Sequence, residues 1–270
     1  MPELPEVETI ACDLRAANLP GRTVEGVRIY QPLSVRGPVA AVEGVAGRRI
    51  ESVGRHGKLL LIALSGGATL VFHLKMTGQI YLIESDAPLL KHTRVAFELE
   101  GGEELRFRDT RRFGYVALMS PEGLQAVLAP LGPDALFVRL PEFRARLGAR
   151  RTMLKPLLTD QGFVAGVGNI YANEMLFEAR LNPWRRSDEL SAAQARRLYE
   201  AMRRVLREAI RCRGSSISDY VDAAGRPGAF QERHRVYQRQ RCPECGAEIR
   251  REVRGGRPAF WCPRCQSAST

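Results

Sequence analysis

The chain has 270 residues, 44% hydrophobic and 26% charged, which is ordinary globular material for one large domain or, as expected here, two linked lobes. Its formal charge of +11 points to a polyanionic partner, with nucleic acid the leading candidate, although a GC-rich genome also enriches arginine. No apolar run approaches the roughly 18 residues of a membrane span, and the acidic start MPELPEVETI lacks the regions of a signal peptide, so no membrane partner and cytoplasmic residence are expected.

In chain order, Val7, Ile10, Ala11, Leu14 and Ala17 recur at helical spacing after Pro5 until Leu19-Pro20-Gly21 stops the pattern, which predicts a short amphipathic helix. From about Thr23 to Met119, eight short β-type runs (VEGVRIY, RIESVG, KLLLIAL, TLVFHL, QIYLIE, RVAFELE, ELRFRD, YVALM) alternate with Gly-rich turns, the pattern of an antiparallel sandwich or barrel. Pro130-Leu131-Gly132-Pro133-Asp134 reads as the start of an interlobe linker. Helical patterns follow over 141–147, 152–159, 169–179 and 191–211, and the small, polar residues of 214–228 read as a mobile loop. The expected fold class is therefore α+β in two lobes, with boundaries at 1–130, 131–236 and 237–270.

The last unit carries Cys242-Pro-Glu-Cys245 and Cys262-Pro-Arg-Cys265, with a two-strand turn expected at Arg254-Gly255-Gly256-Arg257 between them. Two Cys-x-x-Cys knuckles on a hairpin satisfy tetrahedral zinc with four thiolates, leaving no open coordination position, so one structural zinc ion is expected. Cys12 and Cys212 stand apart and read as inert thiols.

Pro2 follows an initiator methionine that is readily removed before a small residue, which would expose a secondary amine. An α-amino group titrates near pH 8, so an appreciable neutral, nucleophilic fraction exists at physiological pH. Attack of a secondary amine on a sugar C1′ gives an iminium with no N–H proton to shed, a persistent electron sink suited to β-elimination. Glu3 and Glu6 stand beside it, where one could serve as a general acid. By themselves these residues equally describe a Pro-initiated, Glu-capped helix.

The string PELPEVETI over 2–10 resembles the start of the formamidopyrimidine-DNA glycosylase family. The resemblance continues in order through GRHGKLLL (54–61), HLKMTG (73–78), FRDTRRFG (107–114), LLTDQGFVAGVGNIYANEMLF (157–177), FQERHRVY (230–237) and the terminal cysteines, and so spans the chain. It implies an N-terminal helix plus β-sandwich, a helix-two-turns-helix domain and a zinc finger. The implied activity is base-excision repair: a bifunctional glycosylase and AP lyase, cleaving by β,δ-elimination and acting as a monomer on double-stranded DNA with oxidised bases or abasic sites.

Residue by residue, the resemblance implies that Pro2 attacks C1′, Glu3 is the general acid, Glu6 and Glu174 support the active site, and Lys58 and Arg257 meet the backbone beside the lesion. His73, Lys155 and Asn169 become DNA contacts. Met76, Arg111 and Phe113 become the residues that fill the space left by an everted nucleotide, whose extrusion costs a few kcal/mol. Ser215, Ser216, Ile217, Ser218, Asp219 and Tyr220 fall at the family's lid over an oxidised purine, favouring 8-oxoguanine and formamidopyrimidines; an oxidised-pyrimidine glycosylase and a non-cleaving damage-binding protein are the alternatives. The chain departs from the family pattern at Lys75, where glycine is usual, at Ala259, where Thr or Ser is common, and in the short approach Gln238-Arg-Gln-Arg241 to the first cysteine.

Overall fold

A computed structural model describes residues 1–254 and 256–267 of the chain. Contacts divide it into two units, the first Met1–Pro130 with Cys212–Ala229, the second Leu131–Arg211 with the chain from Phe230 onward.

In the first unit, helix α1 (Leu4–Ala16) buries Val7, Ile10, Ala11 and Leu14 of the face expected from their spacing, together with Leu4, while Ala17 is its half-buried C-cap. Two four-stranded antiparallel sheets follow. One has the order β1 (Val24–Ile29), β6 (Thr93–Leu99), β7 (Glu103–Asp109), β5 (Gly78–Glu84); the other β2 (Ile50–His56), β3 (Leu59–Leu64), β4 (Thr69–His73), β8 (Tyr115–Met119). Their inner faces meet in one core, where Phe72 of β4 packs edge-on against Phe97 of β6 and Phe107 of β7 with ring centroids 5.9 and 6.0 Å apart. All eight expected strands form. Two helices were not anticipated: α2 (Val39–Glu43), a single turn, and α3 (Pro121–Leu128), capped by the Ser120 side chain and without a buried residue.

The two sheets exchange strands at one end. Register pairs Gly78 with Asp109 in the first sheet and His73 with Tyr115 in the second, so the β4–β5 crossover (74–77) and the β7–β8 crossover (110–114) run side by side between those two pairs.

The second unit contains α4 (Leu140–Gly148), α5 (Leu154–Thr159), α6 (Asn169–Glu178), the 20-residue α7 (Ala192–Arg211) and the hairpin β9 (Arg250–Arg254), β10 (Arg257–Trp261). The expected turn between β9 and β10 includes Gly255, which lies outside the described residues. The cysteine-bearing tail does not stand apart as a third unit: Phe260 N–H donates to Asn173 Oδ1 of α6 (2.9 Å), and Gln266 Nε2 donates to the Leu181 carbonyl (2.8 Å). Residues 212–229, expected in the helical domain, belong with the sandwich, because Arg213 bridges Asp13 of α1 and the fully buried Asp222. Among the described residues no helix is long and apolar enough to cross a membrane.

Candidate functional site

The N-terminal residues fold inward. Pro2 is buried and Glu3 only 1% exposed. The helix start is held by Glu6, whose Oε2 accepts the Glu3 N–H (2.7 Å) while Oε1 accepts the Ser215 N–H (2.8 Å). One buried carboxylate thus joins the chain terminus to the foot of the 214–228 loop. Gly214 is required there: its φ is +81° and a Cβ would lie 2.8 Å from Glu6 Oε1. Behind α1, Arg55 of β2 pairs with Glu8 (2.8 Å) and fixes the helix on the sheet.

The 214–228 loop is irregular as expected, but it is anchored rather than loose. Ser216 Oγ donates to the Tyr220 carbonyl (2.6 Å), the Gly228 N–H donates to Ser216 Oγ (2.9 Å), and the buried Tyr220 hydroxyl donates to the Glu6 carbonyl (3.4 Å). Burial, with the Glu6 charge second, pushes the Tyr220 phenol well above its ordinary range. Gln79 Nε2 donates to the Asp219 carbonyl. Ile217, Ser218 and Asp219 at the tip are exposed, as is the segment 224–227.

The two crossovers carry the proposed void-filling residues. Met76 is 40% and Phe113 53% exposed, unusual for large apolar side chains, and the Arg111 guanidinium lies over the Phe113 ring at 4.9 Å. Their common support is Asp109, fully buried, which accepts from Thr77 Oγ1 and from the N–H groups of Arg111 (3.2 Å) and Gly114 (2.7 Å). Asp109 was not singled out from the sequence; its signal was an Asp immediately before a turn, in the position of an Asx-type acceptor. Gly114 has no alternative, since a Cβ would sit 2.9 Å from the Phe107 ring and 3.0 Å from the His73 carbonyl.

Lys58 and His73 lie at the same end of the second sheet, Lys58 immediately before Leu59, the cross-strand partner of His73. Lys58 is only 8% exposed, so it is no solvated turn lysine. Burial first, then the charges of Lys75, Lys58 and Arg36, lower the His73 pKa to about 3, keeping the ring neutral. The Lys75 N–H donates to His73 Nδ1 (3.1 Å), so the neutral ring carries its proton on Nε2. Lys75 itself has φ +51°, the left-handed conformation that glycine would adopt without strain.

In the second unit, Asn169 opens α6 after Gly168, the N-cap, at a helix N-terminus suited to an anion. Lys155 is 3% exposed and its Nζ donates to the Asn169 carbonyl (2.9 Å), so it braces the α5–α6 connection. It also lines a cavity of about 320 Å³ together with Arg254 and Arg257, which places two expected phosphate ligands, Lys155 and Arg257, in one groove. Arg254 is further stacked on Trp184 at 4.5 Å. Glu174, expected to support the active site, lies against the approach to the finger: its oxygens accept the N–H groups of Arg235 (2.8 Å), Val236 (3.1 Å) and Tyr237 (2.8 Å).

The sulfur atoms of Cys242, Cys245, Cys262 and Cys265 all lie within 4.8 Å of one another, with Cys242–Cys265 at 3.8 Å and Cys245–Cys262 at 3.4 Å. Tetrahedral thiolates 2.3 Å from zinc are separated by about 3.8 Å. The donor set therefore fits one zinc ion with no position left for water, a structural centre.

Residues 1–116 match the formamidopyrimidine-DNA glycosylase N-terminal domain, 131–221 the H2TH domain of the same enzymes, and 239–268 a zinc finger found in FPG and IleRS. The chain is 45% identical to a formamidopyrimidine-DNA glycosylase of Heliobacterium modesticaldum, covering 98% of this chain and 100% of the relative, and 42% identical to that of Pelotomaculum thermopropionicum, covering 98% and 99%. Among solved structures it is similar to the MutM (FPG) protein of Thermus thermophilus (TM-score 0.86, 44% identity, 98% of each chain). It is also similar to Lactococcus lactis Fpg in complex with DNA containing an abasic site (TM-score 0.90, 30% identity, 98% of this chain and 99% of that one).

Proposed function

The chain belongs to the formamidopyrimidine-DNA glycosylase family, and from that premise we propose that it excises oxidised purines from duplex DNA and cuts the strand, with Pro2 as nucleophile. The observation that supports Pro2 most directly is the Glu6 carboxylate, which holds the Glu3 N–H and the Ser215 N–H at once and so fixes the terminus against the foot of the lid loop. In the chain as described Met1 acylates Pro2; removal of Met1 supplies the secondary amine.

The amine attacks C1′, the damaged base leaves, and Glu3 donates the proton that helps open the deoxyribose ring. The resulting iminium acidifies C2′, whose proton is lost as the 3′ phosphate leaves; loss of the C4′ proton from the conjugated iminium then expels the 5′ phosphate. Ser215, Ser216 and Tyr220 position a lid whose exposed tip closes over 8-oxoguanine or a formamidopyrimidine. Met76 and Phe113 fill the vacated stack while Arg111 meets the unpaired opposite base. Lys58, His73, Asn169 and Arg257 hold phosphates, and Lys155 sets the Asn169 turn. One zinc ion, held by Cys242, Cys245, Cys262 and Cys265, fixes the hairpin that presents Arg257. A single lesion needs one copy of the chain, working on DNA in the cytoplasm.

Borohydride added to the protein and a duplex carrying 8-oxoguanine opposite cytosine is expected to trap a covalent adduct mapping to Pro2. No adduct, or an adduct undiminished when the N-terminal amine is blocked, would overturn the assignment. Thymine glycol in the same duplex is expected to react more slowly.

A further inference from the structure

Lys75 occupies a backbone conformation that favours glycine, and it does so beside Met76, at the most exposed part of the β4–β5 crossover. A lysine kept at φ +51° brings a charge to that place at a conformational cost. The charges that act on the neighbouring His73 ring are all cationic. Lys58 and Arg36 act on the same imidazole as Lys75, and the Arg36 guanidinium lies over Tyr115 at 4.5 Å, the residue paired across the strands with His73, whose ring centroid is 5.9 Å from that of Tyr115. Among the described residues neither Lys75 nor Arg36 pairs with a carboxylate. The neutral His73 ring spends Nδ1 on the Lys75 N–H and retains Nε2–H as a donor. A neutral N–H donor ringed by cations and lacking an acidic partner suits a phosphodiester oxygen: it hydrogen-bonds the oxygen, and the cations neutralise its charge.

Resting on the function proposed above, we propose that Lys75 is an additional DNA contact of this chain, holding a backbone phosphate together with Arg36 and His73 Nε2–H and thereby seating the neighbouring Met76 in the duplex. Lys75 then serves binding and positioning, not the chemical step.

The test uses the full-length, zinc-loaded protein and a duplex bearing a non-cleavable tetrahydrofuran abasic analogue, titrated between about 50 and 200 mM salt, the range over which phosphate contacts dominate affinity. In Lys75→Gln and in Lys75→Gly the slope of log K against log salt is expected to become shallower by about 0.9, the value for one phosphate contact, and Lys75→Arg is expected to restore it. Glutamine keeps a side chain in the left-handed conformation and glycine relaxes it, so equal losses in both identify charge as the cause. Tight wild-type binding with an unchanged slope in both variants overturns the role of Lys75 alone. Wild-type protein that does not prefer the abasic analogue to undamaged duplex overturns the proposed function, and this inference with it.

Discussion

The buried carboxylate of Asp109 accepts the hydroxyl hydrogen bond of Thr77 and so ties the crossover that carries Met76 to the one that carries Arg111 and Phe113. The three residues proposed to fill the void come from two separate connections, and this carboxylate makes them one structure. Asp109→Ala leaves the Thr77 hydroxyl and the Gly114 N–H without their acceptor, while the Arg111 N–H keeps Thr77 Oγ1 (3.1 Å). At about 1–3 kcal/mol for each buried group left unsatisfied, partly recovered by water, a loss of roughly 3 kcal/mol in urea unfolding is expected. Thr77→Val removes the donor to Asp109 and one of the two acceptors of the Arg111 N–H, which keeps Asp109 Oδ1, and is expected to cost about 1 kcal/mol. Both variants are expected to bind the abasic-analogue duplex with less discrimination among opposite bases, as a competition titration would read.

Glu6→Gln replaces one of two carboxylate oxygens by an amide NH2 that faces a backbone N–H, either that of Glu3 or that of Ser215. A charge-assisted hydrogen bond contributes about 1.5–3 kcal/mol, which corresponds to a fall of roughly 10- to 100-fold in single-turnover excision of 8-oxoguanine. Gly214→Ala, which forces a Cβ against the same carboxylate, is expected to slow excision in the same direction. A wild-type rate in Glu6→Gln would remove Glu6 from the organisation of the site.

Two imidazoles make stability depend on pH. Burial is the largest cause in both: His73 falls from 6.5 to about 3 and His234, edge-on to Phe230 and Tyr237, from 6.5 to about 4. A pKa lower in the folded state than in the unfolded chain has no effect above pH 6.5, where both states are neutral, and costs stability as pH falls toward the folded value because only the unfolded chain takes the proton. Each imidazole is expected to cost on the order of 2 kcal/mol at pH 5. Urea midpoints at pH 7.5 and pH 5 check this: His234→Gln and His73→Asn should each show a smaller acid-induced drop than the wild-type chain.

Both tryptophans report on the zinc finger. Trp261 precedes Cys262 in β10, and Trp184 Nε1 donates to Glu252 Oε2 of β9 (2.6 Å). Chelation of zinc, or Cys262→Ser, is expected to shift tryptophan emission to the red as the hairpin loses its packing. Loss of binding to abasic DNA should follow the same titration curve, because Arg257 is then no longer held on the Lys155 groove. Binding that survives complete loss of zinc would show that the finger does not contribute.

The strands were legible because alternation and glycine turns are local signals, and the cysteine spacing specified its ligand set without reference to the fold. Helix α2 is too short to show a period. Helix α3 buries nothing, so its Ser120-Pro121-Glu122 start was its only signal. What the sequence could not show was pairing over long distances. No local pattern places residues 212–229 on the sandwich; the contacts of Arg213 with Asp13 and of Ser215 with Glu6 do, across about two hundred residues. Lys155 and Glu174 stood at family positions, yet only the fold revealed that one is spent on the Asn169 carbonyl and the other on three backbone amides near the finger.

The 209-residue separation between Glu6 and Ser215 also orders events in time. At about 5–20 residues per second, the ribosome makes Ser215 roughly 10–40 s after the terminus. During that interval Glu6 lacks its distant partner and Pro2 cannot be enclosed as it is in the finished fold. Removal of Met1 is therefore expected to act on an open terminus, unmasking the proposed nucleophile before the later-made segment Cys212–Ala229 joins the N-terminal unit. A protein refolded with Met1 still attached would bury an inert amide in the same place and regain its stability but not its chemistry.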